Sequence, residues 1–304
     1  MKSVLVGAVE STKCALETMC ACDRAPALVV TLPPDLAKRH SDFVDLGPLA
    51  EQHGIKVHHT QKSNAPETLA ALRDVDADVV LVIGWSQLCN EEFRAIPRIG
   101  CLGYHPTALP KLRGRAVIPW TILLGEDRSG ASIFWLGDGA DTGDIAAQLV
   151  FPIDPHEETA RGLYDKQLDA IKELLPPLLH RLAAGDVPRR VQDHDKATIC
   201  ARRGPEDGLI DWQQPAEDIH RLIRAVGPPY PGAFTYGADG TQVVITAATR
   251  SEDSARYIGM PGQIQAIDGD TLTVMCGDGQ CLNVTDWHGP DTRPKLHSKF
   301  GMLK

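Results

Sequence analysis

Two loops of this 304-residue chain hold side chains that could move a proton together. The first reads Gly103-Tyr104-His105-Pro106-Thr107-Ala108-Leu109-Pro110-Lys111-Leu112-Arg113-Gly114-Arg115 and follows an apolar run. Proline after His105 pushes that histidine out of helical geometry and into an extended one. A second proline, Pro110, stiffens the loop. A histidine held at a strand end on a braced loop is placed for acid–base chemistry. The second loop, Leu136-Gly137-Asp138-Gly139-Ala140-Asp141-Thr142-Gly143-Asp144, reads alone either as a solvated turn or as a shaped ligand loop. Taken with His105, Asp141 becomes a candidate partner, a carboxylate that fixes the imidazole and stabilises its charged form.

Other chemistries lose their main support. The first strand ends in Val6-Gly7-Ala8-Val9-Glu10-Ser11, where a dinucleotide site would need G-x-G-x-x-G so that a pyrophosphate can approach a helix N-terminus. Only Gly7 is present, and no G-x-x-x-x-G-K-[ST] loop occurs. The eight cysteines form no C-x-x-C pair, and Cys20 and Cys22 have the wrong spacing for a zinc ribbon. They read as reduced, mostly buried thiols, and no metal is expected.

The elements that must position the two loops alternate. Val4–Ala8, Ala27–Thr31, Lys56–His58, Val79–Ile83 and Cys101–Tyr104 read as strands, with helices at Thr12–Cys22, Leu46–His53, Ala65–Arg73 and Asn90–Ala95. Such alternation implies a mostly parallel, doubly wound α/β sheet, whose ligands bind beyond the carboxyl ends of the strands. Ala131–Leu136 and Ile145–Phe151 add strands, and His156–Ala184 reads as a long helix broken at Pro176-Pro177. The stretch 186–208 is polar and aperiodic, which reads as a linker. A helix over Pro215–Ala225 follows, then strands Gly232–Tyr236, Val243–Ala247, Gly262–Ile267, Thr271–Cys276 and Cys281–Val284. Five short strands joined by tight turns suggest a small OB-like β-barrel. The expected domains are 1–188 and 207–304, joined by 189–206.

Composition narrows the partners. Hydrophobic residues at 43% and charged residues at 23% are those of a globular chain, and no apolar run is long enough for a membrane span. The N-terminus lacks the apolar core of a signal peptide, so the chain reads as soluble and cytoplasmic. A net charge of −9 without a basic block argues against a DNA or tRNA partner and towards a small molecule.

The segment HPTALPKLRGRAVIPWTILLGEDRSGASIFWLGDGADTGDI, 105–145, resembles the H-x-S-L-L-P-x-x-R-G … L-D-T-G-D-I signature of the formyltransferases that use 10-formyltetrahydrofolate. RRGPEDGLIDWQQPAEDIHRLIRAVGPPYPGAF, 202–234, resembles the start of the C-terminal domain of methionyl-tRNA formyltransferases and of an amino-sugar formyltransferase domain. The resemblance implies a co-substrate, 10-formyltetrahydrofolate, and a primary amine as acceptor. The family's triad is Asn-x-His with a later Asp. His105 and Asp141 match it, whereas Gly103 stands in the place of the Asn. The hydrolase domain of 10-formyltetrahydrofolate dehydrogenase also lacks that Asn and is similar in both loops.

Further roles follow from the resemblance alone. Gln87, Leu88 and Cys89 take the place of the loop whose main chain binds the pterin, and Gly137, Asp138, Gly139 and Ala140 cover its other side. Glu10, Ser11 and Arg115 take the place of the acceptor's entrance. Leu109-Pro110 is expected to be cis. At Gly103 a small space beside the formyl oxygen is expected, filled by water or by a polar group of the acceptor. The loop Pro33–Asp45 is short and nearly neutral, where a basic insertion would signal tRNA. A small amine such as a nucleotide-linked amino sugar is therefore the expected acceptor, with methionyl-tRNA formylation and hydrolysis of the formyl-folate as alternatives.

Overall fold

The computed structural model of the chain describes residues 1–39, 42–289 and 293–301; of the loop 33–45, residues 40 and 41 lie outside the described residues. In chain order the elements are β1 (Ser3–Val6), α1 (Glu10–Ala21), β2 (Leu28–Thr31), α2 (Gly47–Gln52), β3 (Lys56–His59), α3 (Pro66–Val75), β4 (Val79–Val82), α4 (Glu91–Arg94) and β5 (Gly100–His105). Then come β6 (Arg113–Gly114), α5 (Val117–Leu123), β7 (Arg128–Trp135), β8 (Ile145–Pro152), α6 (Ala160–Ala183) and β9 (Ile199–Cys200). The chain continues through α7 (Ala216–Val226), β10 (Ala233–Tyr236), β11 (Gln242–Arg250), β12 (Ile264–Asp268), β13 (Thr271–Met275) and β14 (Cys281–His288). Among the described residues no helix is long and apolar enough to cross a membrane.

Residues Met1–Val117, Arg128–Ile153 and Tyr164–Ala201 form one compact unit. Its seven-stranded sheet runs β3-β2-β1-β4-β5-β7-β8. The first five are parallel, and β7 and β8 close the edge as an antiparallel pair. The order reverses between β1 and β4, which is where an open sheet offers a crevice. One face is covered by Cys14, Leu16 and Met19 of α1 together with Ile171, Leu175 and Leu179 of α6. The other is covered by Leu69 and Leu72 of α3 and Phe93 of α4. Continuous apolar strands such as Val79–Val82 fit this burial on both sides.

Two details depart from simple readings of the sequence. Pro176 and Pro177 lie inside α6 without breaking it. Each removes a backbone hydrogen bond, but Leu174, Leu175, Leu178, Leu179 and Leu182 flank the pair and are all buried. Core packing carries the helix through. At the end of β1, a Cβ on Gly7 would fall 1.9 Å from the Ile83 carbonyl and 2.2 Å from Thr12 Oγ1. Gly7 therefore lets β4 and the first turn of α1 close on β1, a packing role rather than a pyrophosphate one.

Residues Ile118–Asp127, Asp154–Leu163 and Arg202–Lys304 form a second compact unit. The five strands expected after the linker are all present and form one antiparallel sheet, β10-β11-β14-β13-β12. Helix α7 packs on β11. Trp212 stacks on Phe300 at 5.9 Å and donates from Nε1 to Thr235 Oγ1 at 3.0 Å. Buried Arg224 donates to the carbonyls of Glu158 and Pro155, pinning that stretch to α7.

Candidate active site

His105 ends β5, at the carboxyl edge of the sheet, and is 4% exposed. Its Nε2 lies 2.6 Å from the Leu112 carbonyl oxygen. A carbonyl only accepts, so Nε2 carries the proton and donates. That leaves Nδ1, which faces Asp141 Oδ2 at 3.6 Å, longer than a hydrogen bond. Asp141 Oδ2 itself accepts from the Gly114 main-chain N–H at 2.8 Å. The two residues singled out from the sequence therefore meet across a gap that one substrate atom could bridge.

The backbone around this pair is strained. Leu112 (φ 56), Gly114 (φ 99) and Ala116 (φ 52) alternate in the left-handed region, and Asp141 (φ 55) joins them. Non-glycine residues hold such angles only where their surroundings impose them. Two contacts and one tight approach do so here. Arg113–Gly114 pairs with Ile199–Cys200, Leu112 N–H donates to Thr198 Oγ1, and a Cβ on Gly114 would fall 2.4 Å from the Cys200 carbonyl. Leu109-Pro110 is cis. The buried side chain of Gln192 donates to the carbonyls of Asp141 (2.9 Å) and Gly143 (2.6 Å), and its Oε1 accepts from Arg113. Arg113 also donates to His194 Nδ1 at 3.0 Å. Sequence reasoning placed Gln192 in a linker. Glutamine has no periodic or motif signal, so only tertiary structure could reveal it.

The residues expected to flank a pterin fall on two neighbouring loops. Gln87 bridges to the 61–63 turn, accepting from Ser63 N–H and donating to the Gln61 carbonyl. The Leu88 carbonyl accepts from Asn64 Nδ2 at 2.9 Å, while the Leu88 side chain is exposed. Cys89 is buried, which pushes its thiol up to about 12 and makes it no nucleophile. Its carbonyl accepts from Arg94 Nη1 at 2.8 Å, and the other Arg94 nitrogen pairs with Asp138. Arg94, which the sequence reading missed, thus ties the 87–89 loop to the 137–140 loop. Gly137 has open space where its Cβ would be, and Asp138, Gly139 and Ala140 are exposed. Glu10 and Ser11 open α1 at the same sheet edge, with Ser11 Oγ near Gly84. Arg115 donates to the Ser86 carbonyl at 3.0 Å.

Gly103 does not meet expectation. A Cβ there would lie 2.7 Å from Leu136 Cδ2 and 2.9 Å from the Phe134 ring. The place of an asparagine side chain is filled by apolar groups, not left for water or for a polar acceptor. Among the described residues, no group of three or more His, Cys, Asp or Glu is placed to hold a metal.

Comparison with known proteins finds relatives by sequence and by fold. The formyl transferase family model matches residues 11–179, and the model of the formyl transferase C-terminal domain matches residues 203–294. A methionyl-tRNA formyltransferase from Geobacter metallireducens is 34% identical over 231 residues, covering 76% of this chain and 72% of its own. HypX from Aquifex aeolicus, solved in complex with tetrahydrofolic acid, superposes with a TM-score of 0.67 at 18% identity over 93% of this chain. This chain spans 43% of the length of HypX. An N-formyltransferase from Helicobacter canadensis, in complex with folinic acid and dTDP-3-aminofucose, gives 0.65 at 20% identity, covering 93% of this chain and 98% of its own. The fold and the sequence lead to one conclusion: the chain belongs to the formyl transferase family, enzymes that transfer formyl groups.

Proposed function

We propose that this chain transfers the formyl group of 10-formyltetrahydrofolate to a primary amine, with His105 and Asp141 as the reacting pair. The observation that carries the reading is their meeting at the carboxyl edge of the sheet, 3.6 Å apart and ringed by strained backbone. The neutral amine attacks the formyl carbon, and a tetrahedral oxyanion forms. The bond from that carbon to N10 then breaks as N10 takes a proton. Nε2 of His105 is committed to Leu112, so Nδ1 serves the reaction. In the imidazolium, whose charge Asp141 stabilises, Nδ1 carries the second proton and donates to the oxyanion, while the Asp141 carboxylate takes the amine proton and passes it on to N10. Position 103 offers no side-chain donor. Gln87–Cys89 and Gly137–Ala140 flank the pterin, and the amine enters by Glu10, Ser11 and Arg115. Residues 1–188 act as the catalytic domain and 207–304 as an accessory one, with 189–206 between them.

For the acceptor, the net charge of −9 and the short, nearly neutral stretch 33–45 favour a small-molecule amine such as a nucleotide-linked amino sugar. A methionyl-tRNA acceptor is the second reading, supported by the 34% identity to a methionyl-tRNA formyltransferase. One assay separates them: tetrahydrofolate release is followed with 10-formyltetrahydrofolate alone, with dTDP-3-aminofucose and with methionyl-tRNA. Release without amine identifies a hydrolase, and release only with methionyl-tRNA rejects the small-molecule reading. His105→Ala and Asp141→Asn are each expected to lose more than nine-tenths of the turnover, at least about 1.4 kcal/mol, with the fold intact by circular dichroism. Retention of more than a tenth by either variant removes its role.

A further inference from the structure

We infer that Gln192 and Arg113 are positioning residues for Asp141, holding its peptide in the left-handed region so that the carboxylate faces His105. The inference rests on the reading of His105 and Asp141 as the reacting pair. Four residues close a ring. The Gly114 N–H holds the Asp141 carboxylate at 2.8 Å. Gln192 Nε2 holds the Asp141 carbonyl at 2.9 Å and the Gly143 carbonyl at 2.6 Å. Gln192 Oε1 accepts from Arg113 Nη2 at 2.6 Å and from Nε at 3.2 Å. Arg113 precedes Gly114 in the chain, and β6 fixes both.

Both ends of Asp141, main chain and carboxylate, are thus tied to the same dipeptide, one directly and one through Gln192. The ties are protected, since Gln192 is 3% and Arg113 6% exposed. Each side chain is also polarised to its task. The guanidinium fork fixes Oε1, and that fixes which end of the amide is left to donate. Aspartate enters the left-handed region more readily than most residues, but a φ of 55° is still less favourable than a negative φ, and the bonds from Gln192 and Gly114 hold it there. Without the two donated bonds, the 141–143 turn is free to relax to negative φ. The carboxylate would then swing away from Nδ1, and a displacement of about 1 Å at a reacting group can cost about 100-fold in rate.

Gln192→Glu tests this, because it keeps an acceptor for Arg113 while replacing the donor by an oxygen that repels both carbonyls. Turnover is read as tetrahydrofolate released from 10-formyltetrahydrofolate with dTDP-3-aminofucose and with methionyl-tRNA. Folate binding is read by calorimetry with 5-formyltetrahydrofolate. We expect kcat to fall roughly 10- to 100-fold, with 5-formyltetrahydrofolate affinity close to that of the wild type and Tm lowered by the two lost buried hydrogen bonds. In the variant's crystal structure, Asp141 should leave the left-handed region and the Nδ1–Oδ2 separation should exceed the present 3.6 Å. Where neither amine turns over, this crystal structure decides. Arg113→Lys, which loses the fork, should reproduce the loss in kcat and serves if Gln192→Glu does not fold. Undiminished kcat in a folded variant, an unmoved Asp141, or a parallel fall of kcat and affinity would each overturn the inference. An inactive Asp141→Asn beside an active Gln192→Glu sinks this inference alone, while an active Asp141→Asn sinks the reading beneath it.

Discussion

At the scale of single residues, Gly103 shows how a motif position can change its meaning. The strand alternates, so Gly103 shares a face with His105 and Cys101, and that face is occupied by Phe134 and Leu136 from β7 and the turn after it. Adding the family's asparagine back would overpack a filled space and bury an amide among apolar groups. Gly103→Ala is therefore expected to destabilise by about 1–3 kcal/mol, and Gly103→Asn by more. Thermal melts of both variants check this, and a Gly103→Asn protein as stable as the wild type would show that Phe134 and Leu136 yield. His105 and Asp141 were legible in the sequence because proline, glycine and motif spacing mark them. Phe134 was not, since one apolar residue in a strand carries no sign of which neighbour's space it fills.

Among the elements, the short ones matter most to the site. The seven sheet strands and helices α1 to α4 announce themselves by apolar period and stand where the pattern puts them, whereas α5, seven residues long, was not read from the sequence. The two-residue ladder of β6 with β9 has no such period, because its register is set by backbone contact at Gly114 rather than by side chains. Helix α4 is only four residues long, yet its last residue, Arg94, connects the loops at 89 and 138. Arg94→Ala should loosen both loops without touching His105 or Asp141. Asp138 is exposed, so the loss stays below about 1 kcal/mol, read as at most a roughly fivefold rise in KM for 10-formyltetrahydrofolate. Little change in kcat is expected, and steady-state kinetics at saturating amine measure both. A fall in kcat with constant KM would place Arg94 in the chemistry instead.

Across the whole molecule, buried thiols couple stability to alkaline pH. Burial pushes Cys89 and Cys276 up from the usual 9.0 to about 12, and Cys101 higher still. These folded values lie above the unfolded one, so the neutral thiol favours the folded state. The contribution is complete below pH 9 and is lost as pH rises through about 12. Each thiol removes up to about 1.4 kcal/mol per pH unit in that window. Urea midpoints should hold between pH 7 and 8.5 and fall steeply by pH 10.5, with a shallower fall in the Cys89→Ala, Cys276→Ala double variant. Equal slopes in the two proteins would reject the thiols as the cause. The order of elements in the first unit also bears on how the protein is made. All seven strands of the main sheet lie within the first 152 residues, whereas Gln192 and β9, which hold the turns at Asp141 and Gly114, come some 40 residues later. As the chain leaves the ribosome it carries its sheet, its histidine and its aspartate before it carries what aligns them. Translation thus completes the main sheet before it supplies the residues that hold these two turns.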